Sequence, residues 1–386
     1  MRQIPLFKVH VDVHKALSNV REVFESGYIN EGCEVTQLTS ALTDVLVAKN
    51  IVLTNSCTSA ITMALKLAGV GPGDEVISTA MTCVATNTPI VSLGADIVWA
   101  DVHSRSGMLL PWSVEELITK KTKAVVVVAW AGAPPELAGL KRTCETYGVK
   151  LILDAAHAFG ATYKNIPVHE WVDCTTYSFQ AIKHFTTGDG GALVCRDDQL
   201  HARAKAMKWF GLDRDVAKTA SGEWKGQQWD VDIVEAGYKF NMNNVAAAIG
   251  LSQLDHIEKI LARHRANAMR YDSAFARKGS KLYPVARPSG GNSSHWVYSC
   301  LIDPAQTSVT RDELLQRLNA DGIMAGVVHI PNDEYTAFAR FRRDLPGVRS
   351  FASRQLALPC GWWVTEDDVL YVIDRVKHHL DGGSSL

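Results

Sequence analysis

The sequence of 386 residues lacks the features of a membrane protein and of a nucleic-acid-binding protein. No apolar run approaches the ~18 residues of a transmembrane helix, and the first residues lack the apolar stretch and cleavage site of a signal peptide. The 40 basic and 41 acidic side chains give a formal net charge of −1. An anion must therefore be recognised locally rather than by an overall positive field. We expect no membrane partner and no nucleic-acid partner.

The eight cysteines are scattered, and no Cys-x-x-Cys pair occurs among them, so a structural zinc site is not expected. Cysteines in this arrangement are typical of a reducing compartment, where a buried thiol behaves as a small apolar side chain. The sequence contains no internal repeat and no low-complexity tract, and its hydrophobic content of 47% is that of an ordinary globular enzyme. We therefore expect a cytoplasmic enzyme without a bound metal.

The middle of the chain alternates short β-branched runs with helical patterns. This alternation predicts an α/β fold with a mainly parallel sheet covered by helices. A long helix from Asn244 to about Arg265 is expected to connect a large domain, residues 1–250, to a smaller C-terminal domain, residues 251–386. In the second domain, residues 294–302 are strand-like.

Residues 55–60, Asn-Ser-Cys-Thr-Ser-Ala, join a predicted strand to a predicted helix. The free N–H groups and the dipole of a helix N-terminus favour a phosphate at such a position. Serine and threonine are also the ordinary caps of helices. The segment alone is therefore more typical of a plain helix start than of a binding site.

Four further residues suggest a site for pyridoxal phosphate (PLP). Asp154 ends an apolar run, on the side of an α/β sheet where ligands bind, and His157 follows three residues later. Lys183 stands five residues after Ser178 and ahead of the Gly-Asp-Gly-Gly turn at 188–191. A PLP enzyme needs an amine for the cofactor aldehyde, a hydroxyl for its phosphate and a carboxylate for its ring nitrogen.

Each of these residues also has an ordinary explanation. Asp154 could cap a helix, His157 could be a core histidine, and Lys183 could be a solvated loop lysine. Their order on successive strand ends, together with residues 55–60, makes the PLP site the better interpretation.

The chain also resembles the DegT/DnrJ/EryC1/StrS family of PLP-dependent sugar aminotransferases, which have the aspartate-aminotransferase fold (fold type I). The resemblance covers most of the chain and implies a large domain with a mainly parallel sheet between helices, followed by a smaller C-terminal α+β domain. The segments that carry it are 26–32, 56–61, 71–77, 154–157, 178–191, 237–244 and 356–359.

Carried over to this chain, the resemblance assigns five cofactor contacts. It implies that Thr58 and Ser59 hold the phosphate, with help from Ser178. Asp154 would face the pyridine nitrogen, and His157 would face the ring or its 3′-oxygen.

The same resemblance implies that Lys183 forms the internal aldimine and acts as a general base once it is released. Glutamate would convert the cofactor to pyridoxamine phosphate (PMP), and a keto sugar, most readily a nucleotide-linked 4-keto-6-deoxy sugar, would then receive the amine. Family members are homodimers, and the loop 237–244 is the part expected to complete the partner's site.

Some positions depart from the family pattern or extend it. Cys83 or a neighbour stands where many members of the family have an aromatic residue against the cofactor ring. Lys239 replaces the usual cross-subunit asparagine and could bind phosphate as a cation, and Asn241 replaces the usual arginine. His329 lies in a loop expected near the substrate. Arg214 could meet a diphosphate or a carboxylate, but a structural ion pair is the more ordinary explanation.

Two other functions are compatible with this fold. A deoxygenating sugar dehydratase would carry histidine in place of Lys183, whereas here His184 only follows the lysine. A PLP-binding regulator would carry a DNA-binding segment, and the near-neutral charge does not favour one. The sequence therefore predicts an aminotransferase, and it leaves open which nucleotide, which sugar carbon and which stereochemistry are involved.

Overall fold

The structure, a computed structural model, describes residues 2–213 and 232–381. The helices in these residues are α1 (Val13–Ser26), α2 (Cys33–Leu46), α3 (Cys57–Leu67), α4 (Val84–Ser92), α5 (Pro111–Glu115), α6 (Leu137–Tyr147), α7 (Asp198–Met207), α8 (Asn244–Leu251), α9 (Ile257–Phe275), α10 (Arg311–Ala320), α11 (Pro346–Ala352) and α12 (Glu366–Leu380). The strands are β1 (Ile51–Thr54), β2 (Glu75–Thr79), β3 (Asp96–Ala100), β4 (Thr122–Val128), β5 (Lys150–Asp154), β6 (Thr162–Tyr163), β7 (Ile166–Pro167), β8 (Cys174–Ser178), β9 (Gly191–Cys195), β10 (Leu282–Pro284), β11 (Gly291–Asn292), β12 (Tyr298–Ile302) and β13 (Gln355–Leu358).

Seven of these strands form the central sheet, in the order β1-β9-β8-β5-β4-β2-β3. The neighbouring pairs from β3 to β8 are parallel, whereas β9 is antiparallel to both β8 and β1. Within this sheet, all strands except β9 therefore point in one direction, and the predicted mainly parallel sheet is confirmed. Residues 124–128 of β4 are fully buried, as expected for a central strand that is covered on both faces.

The register of the sheet brings several loops together at its carboxyl edge. Thr54 ends β1, Asp154 ends β5 and Ser178 ends β8. Gly191, the first residue of β9, pairs with both Thr54 and Ser178. Because β5 is the next strand after β8, the loops after β1, β5 and β8 lie side by side at this edge.

A second cluster of buried apolar side chains surrounds the antiparallel sheet β10-β12-β13 in the C-terminal part of the chain. It contains Leu314 of α10, Val372 of α12 and also Ile4 from the N-terminal segment. The backbone of Ile4 forms hydrogen bonds with Gly322 and Met324. The N-terminal segment therefore packs on the C-terminal part, while the domain boundary at residue 250 remains a prediction.

The predicted long helix from Asn244 is interrupted, which corrects the sequence-based expectation. α8 ends at Leu251, a 3₁₀ turn follows, and α9 begins at Ile257. The Ser252 hydroxyl donates a 2.6 Å hydrogen bond to the carbonyl of Ile249. The hydroxyl thereby gives one of the last carbonyls of α8 a hydrogen-bond partner.

None of the helices within residues 2–213 and 232–381 is long and apolar enough to cross a membrane. In the same residues, no cluster of three histidine, cysteine or acidic side chains has the geometry of a metal site. All eight cysteines are free thiols.

Candidate active site

Asp154 lies at the carboxyl end of β5 and is buried, with 4% of its surface exposed. Its Oδ2 accepts a 2.6 Å hydrogen bond from the Thr86 hydroxyl, and its Oδ1 accepts one of 3.0 Å from the backbone N–H of Ala156. Burial raises the pKa of Asp154, while these two hydrogen bonds and the charge of Lys183 oppose the rise. A buried carboxylate of this kind is suited to a cationic partner.

Lys183 lies in the loop after β8, half-buried, with its Nζ 3.7 Å from the centre of the Trp296 ring. Burial lowers the pKa of Lys183 to about 8, whereas the Asp154 carboxylate opposes this decrease. At pH 7 about one-tenth of the amine is therefore uncharged, far more than for an exposed lysine. An uncharged amine is the form that attacks an aldehyde.

A stack of aromatic rings lies beside Lys183. The rings of His157 and Trp296 stack with their centres 3.9 Å apart, and Phe7 also stacks on Trp296 at 4.8 Å. The indole N–H of Trp296 donates to the carbonyl of Ile182 at 2.8 Å, which holds the ring next to the lysine. Burial, followed by the charge of Lys183, lowers the pKa of His157 well below its usual value, so this imidazole is neutral.

Sequence reasoning did not identify Trp296. The tryptophan lies in the range 294–302, which was predicted as strand, but β12 begins only at Tyr298. Before β12, the backbone N–H of Trp296 donates to the carbonyl of Ala131, so this part of the chain packs against the large sheet instead. An irregular segment of this kind has no periodicity from which its position could be predicted.

The turn between β1 and α3 has the geometry of an anion cradle. The hydroxyl of Ser56 caps α3 by accepting a 3.1 Å hydrogen bond from the N–H of Ser59. The hydroxyl of Ser59 donates to Asn55 Oδ1 at 2.6 Å, so Ser59 stabilises the turn itself. Thr58 is half-buried in the first turn of α3. The N–H groups of a first helical turn have no partners inside the helix and attract anions.

Gly191 allows two parts of the site to approach each other. A Cβ on Gly191 would lie 2.5 Å from the backbone nitrogen of Cys57, so only glycine lets β9 pass this close to α3. Its partner in β8 is Ser178, which is 8% exposed. The structure therefore brings Thr58, Ser59 and Ser178, which are distant in sequence, to one place.

Cys83 is the N-cap residue of α4 and is half-buried. It lies close enough to Lys183 for its thiol to affect the pKa of the lysine. Among the described residues, the aromatic rings of Trp296 and His157 stack beside Lys183.

His329, from the C-terminal part, reaches the same place. Its ring lies 5.5 Å from that of His157 with an angle of 18° between the ring planes. Burial lowers the pKa of His329 to about 4, and the charge of Lys183 adds to the effect. His157 Nδ1 and His329 Nε2 are both buried and have no hydrogen-bond partner within the described residues.

Lys239 lies farther out. Its Nζ is 3.8 Å from the centre of the Trp209 ring and donates to Asn241 Oδ1 at 2.6 Å. The carbonyl of Lys239 accepts a 3.4 Å hydrogen bond from Asn55, so its main chain borders the α3 turn while its side chain lies on Trp209. Arg214 lies outside the described residues.

The model of the DegT/DnrJ/EryC1/StrS aminotransferase family matches residues 11–377. The chain belongs to this family. SpsC, a spore coat polysaccharide biosynthesis protein of Bacillus subtilis (strain 168), is 31% identical over 371 residues, which cover 95% of this chain and 94% of SpsC. The solved structure of CalS13, a sugar aminotransferase from Micromonospora echinospora, is 32% identical, covers 97% of this chain and 99% of CalS13, and has a TM-score of 0.89.

Spr1654 from Streptococcus pneumoniae has been solved in a PLP form and in a PMP form. The PMP form is 28% identical, covers 99% of this chain and all of that chain, and has a TM-score of 0.88. These comparisons confirm the predicted fold type I and identify this member of the DegT/DnrJ/EryC1/StrS family as a PLP-dependent sugar aminotransferase.

The residues of this sugar aminotransferase fit PLP. The α3 turn is suited to the phosphate, and the buried carboxylate of Asp154 is suited to a protonated ring nitrogen. Lys183 provides the amine. His157 and His329 both lie near Lys183, whose charge lowers the pKa of each, and each has a buried nitrogen without a partner within the described residues.

Proposed function

We propose that this aminotransferase transfers an amino group from glutamate to a nucleotide-linked 4-keto-6-deoxy sugar. The amine-transfer chemistry of this proposal rests on the position of Lys183. An amine with a pKa of about 8, held against an aromatic ring and near a buried carboxylate, can bond the cofactor aldehyde and can also move protons.

The proposed cofactor contacts follow from the geometry at the carboxyl edge of the sheet. Thr58 and the N–H groups of the α3 turn bind the phosphate together with Ser178, and Ser59 keeps the turn in shape. Asp154 keeps the ring nitrogen protonated, and His157 covers the ring or reaches its 3′-oxygen. When bound, PLP supplies the aldehyde and a ring that takes up the electron pair released at the substrate carbon.

The substrate contacts lie on the side of Trp296 and His329. Lys183 in its uncharged form accepts the proton from the substrate carbon, and in its charged form it rests on the Trp296 ring. His329 is neutral and offers an unpartnered Nε2 for a hydrogen bond with the substrate. Arg214 remains a sequence-based candidate for a diphosphate contact.

The nucleotide linkage is supported by relatives. SpsC takes part in polysaccharide biosynthesis. The structure of DesI, determined in the presence of its TDP-sugar product, is 26% identical, covers 99% of this chain and 95% of DesI, and has a TM-score of 0.86. A related acceptor is therefore the first to test here.

The donor and the acceptor can be tested separately by spectroscopy. Glutamate added to the PLP-loaded protein should convert the cofactor absorbance to that of PMP, and a UDP-, GDP- or dTDP-linked 4-keto-6-deoxy sugar should reverse the change. Aspartate, alanine and glutamine serve as comparison donors. If another amino acid produces PMP and glutamate does not, the proposed donor is wrong. If PMP accumulates and none of the keto sugars reverses the change, the acceptor is wrong.

The role of Lys183 can be tested by borohydride reduction of the loaded protein followed by peptide mapping. We expect the modification on Lys183, and we expect Lys183→Ala to abolish transfer while the protein remains folded. Lys183→Arg is the matched control, because it keeps the charge and cannot bond the aldehyde. Modification at another lysine would contradict the proposal.

We also propose that the protein acts as a homodimer in which the loop 237–244 completes the site of the partner. Large apolar side chains are exposed along α1, among them Val13, Leu17 and Phe24. Such a surface is typical of an interface between protein chains. If Lys239 acts on the partner's site, mixing inactive Lys183→Ala protein with Lys239→Ala protein should restore activity that neither has alone. A monomer in light scattering would exclude this arrangement.

A further inference from the structure

A chain of two threonine hydroxyls lies behind Asp154. The Oγ1 of Thr86 is 2.6 Å from Asp154 Oδ2, and the Oγ1 of Thr82 is 2.8 Å from that of Thr86. All three side chains are buried, with exposed fractions of 4% for Asp154, 0% for Thr86 and 1% for Thr82. Bulk water therefore does not compete for these hydrogen bonds.

The direction of the hydrogen bonds follows from counting protons. A hydroxyl has one proton to donate, and an ionised carboxylate can only accept. If Asp154 is ionised, Thr86 must donate its proton to Asp154, and Thr82 must donate its proton to Thr86. Both hydroxyl dipoles then point toward the carboxylate. A hydrogen bond to a charged group is about twice as strong as a neutral one, so this order favours the ionised form that burial disfavours.

The chain of hydroxyls is anchored from the C-terminal part of the molecule. The carbonyl of Thr82 accepts a 2.7 Å hydrogen bond from the side chain of Asn332. The backbone N–H of Asn332 donates to Ala80 at 2.7 Å, and its Oδ1 accepts from Asn87 at 2.8 Å. Asn332 is completely buried. The segment that carries Thr82 and Thr86 is therefore held in one place by the same loop that carries His329.

We infer that Thr86 is a positioning residue that keeps Asp154 ionised and aimed at the ring nitrogen of the cofactor, and that Thr82 orients Thr86. The inference rests on the proposed role of Asp154. It adds that a carboxylate buried to this degree needs oriented donors to remain charged, in addition to the cationic partner it faces.

The inference can be tested with PLP that carries ¹⁵N in its ring, bound to the full-length protein. The ¹⁵N chemical shift reports directly whether the ring nitrogen is protonated. We expect the wild type and Thr86→Ser to show a protonated nitrogen, because serine retains the hydroxyl. Thr86→Val keeps the shape and removes the donor. It should shift the signal toward the unprotonated form and weaken PLP binding about tenfold, as for a lost hydrogen bond to a charged group.

Two further variants keep the test informative if Thr86→Val does not fold. Thr82→Val leaves the contact between Thr86 and Asp154 in place but removes the hydroxyl that orients it, so a smaller shift of the same sign is expected. Thr88→Val is the matched control. Thr88 lies on the same helix, is exposed, and its hydroxyl bonds only the carbonyl of Val84. It should behave as the wild type.

The inference is overturned if Thr86→Val, or Thr82→Val where the former does not fold, keeps the wild-type chemical shift and PLP affinity. It is also overturned if Thr86→Ser is as impaired as Thr86→Val, because the effect would then not depend on the hydroxyl. Asp154→Asn separates this failure from failure of the proposed function. If Asp154→Asn also keeps a protonated nitrogen, Asp154 does not face the ring and the underlying role is wrong.

Discussion

Replacing Trp296 should change the protonation of Lys183 in a direction that can be derived from the structure. The Nζ of Lys183 lies 3.7 Å from the centre of the indole ring, and the surroundings are largely desolvated. A desolvated contact between a cation and an aromatic ring stabilises the charged form by roughly 2 kcal/mol. One pKa unit corresponds to about 1.36 kcal/mol. Removing the ring should therefore lower the pKa of Lys183 from its value of about 8 by about one and a half units.

The matching assay measures the rate of PLP association with the cofactor-free protein as a function of pH, because only the uncharged amine reacts. The midpoint of this profile should move down in Trp296→Leu, and it should move less in Trp296→Phe, which keeps a smaller ring. Trp362→Phe is the control, since Trp362 lies 5.4 Å from a different lysine, Lys8. An unchanged midpoint would refute the reasoning. A midpoint that rises would show that the ring acts mainly by excluding water.

The remaining predictions concern stability and substrate binding. Gly191→Ala places a Cβ 2.5 Å from the backbone of Cys57, so we expect a loss of about 1–3 kcal/mol in urea unfolding and weaker PLP binding. Burial lowers the pKa of His264 to about 4. The stability that neutral His264 contributes is therefore complete above about pH 6.5. As the pH falls toward 4, about 3 kcal/mol of the free energy of unfolding is lost. His264→Gln should remove most of this contribution, which is measured by comparing the free energy of unfolding at about pH 6.5 and about pH 4. Asn332→Ala leaves the carbonyl of Thr82 without its buried donor. We therefore expect a loss of about 1–3 kcal/mol in the free energy of unfolding. Because Asn332 anchors the loop that carries His329, we also expect a raised KM for the keto sugar.

The proposed cofactor residues near the strand ends were accessible to sequence reasoning. Asp154 ends an apolar run, and such a run in an α/β pattern is a strand whose carboxyl end faces the ligand side. Lys183, Asp154 and the α3 turn each follow the end of a strand, so the sequence could place them at one edge of the sheet. The antiparallel strand β9 does not change this placement. The placement of Thr58 and Ser59 beside Ser178 depends on the pairing of β9 with both neighbours.

Other features could not be derived in this way. Trp296 lies in an irregular segment that bonds the backbone of Ala131, and no periodicity marks such a contact. No glycine or proline follows Leu251 to mark the end of α8. The contact of Asn332 with Thr82 joins residues that are 250 positions apart in the chain. Local patterns carry no information about contacts at this distance.

The sequence by itself determined the α/β class, the edge of the sheet at which the candidate site lies, and the residue types that a PLP enzyme needs. These properties depend on local patterns, since hydrophobic periodicity sets the strands and the polar residues follow the strand ends. Tertiary structure alone decided the state of Lys183 and Asp154. A pKa depends on burial and on charged or hydrogen-bonding neighbours, which are Thr86 and Lys183 for Asp154 and Asp154 and Cys83 for Lys183. These residues are distant in sequence and come together only in the folded chain.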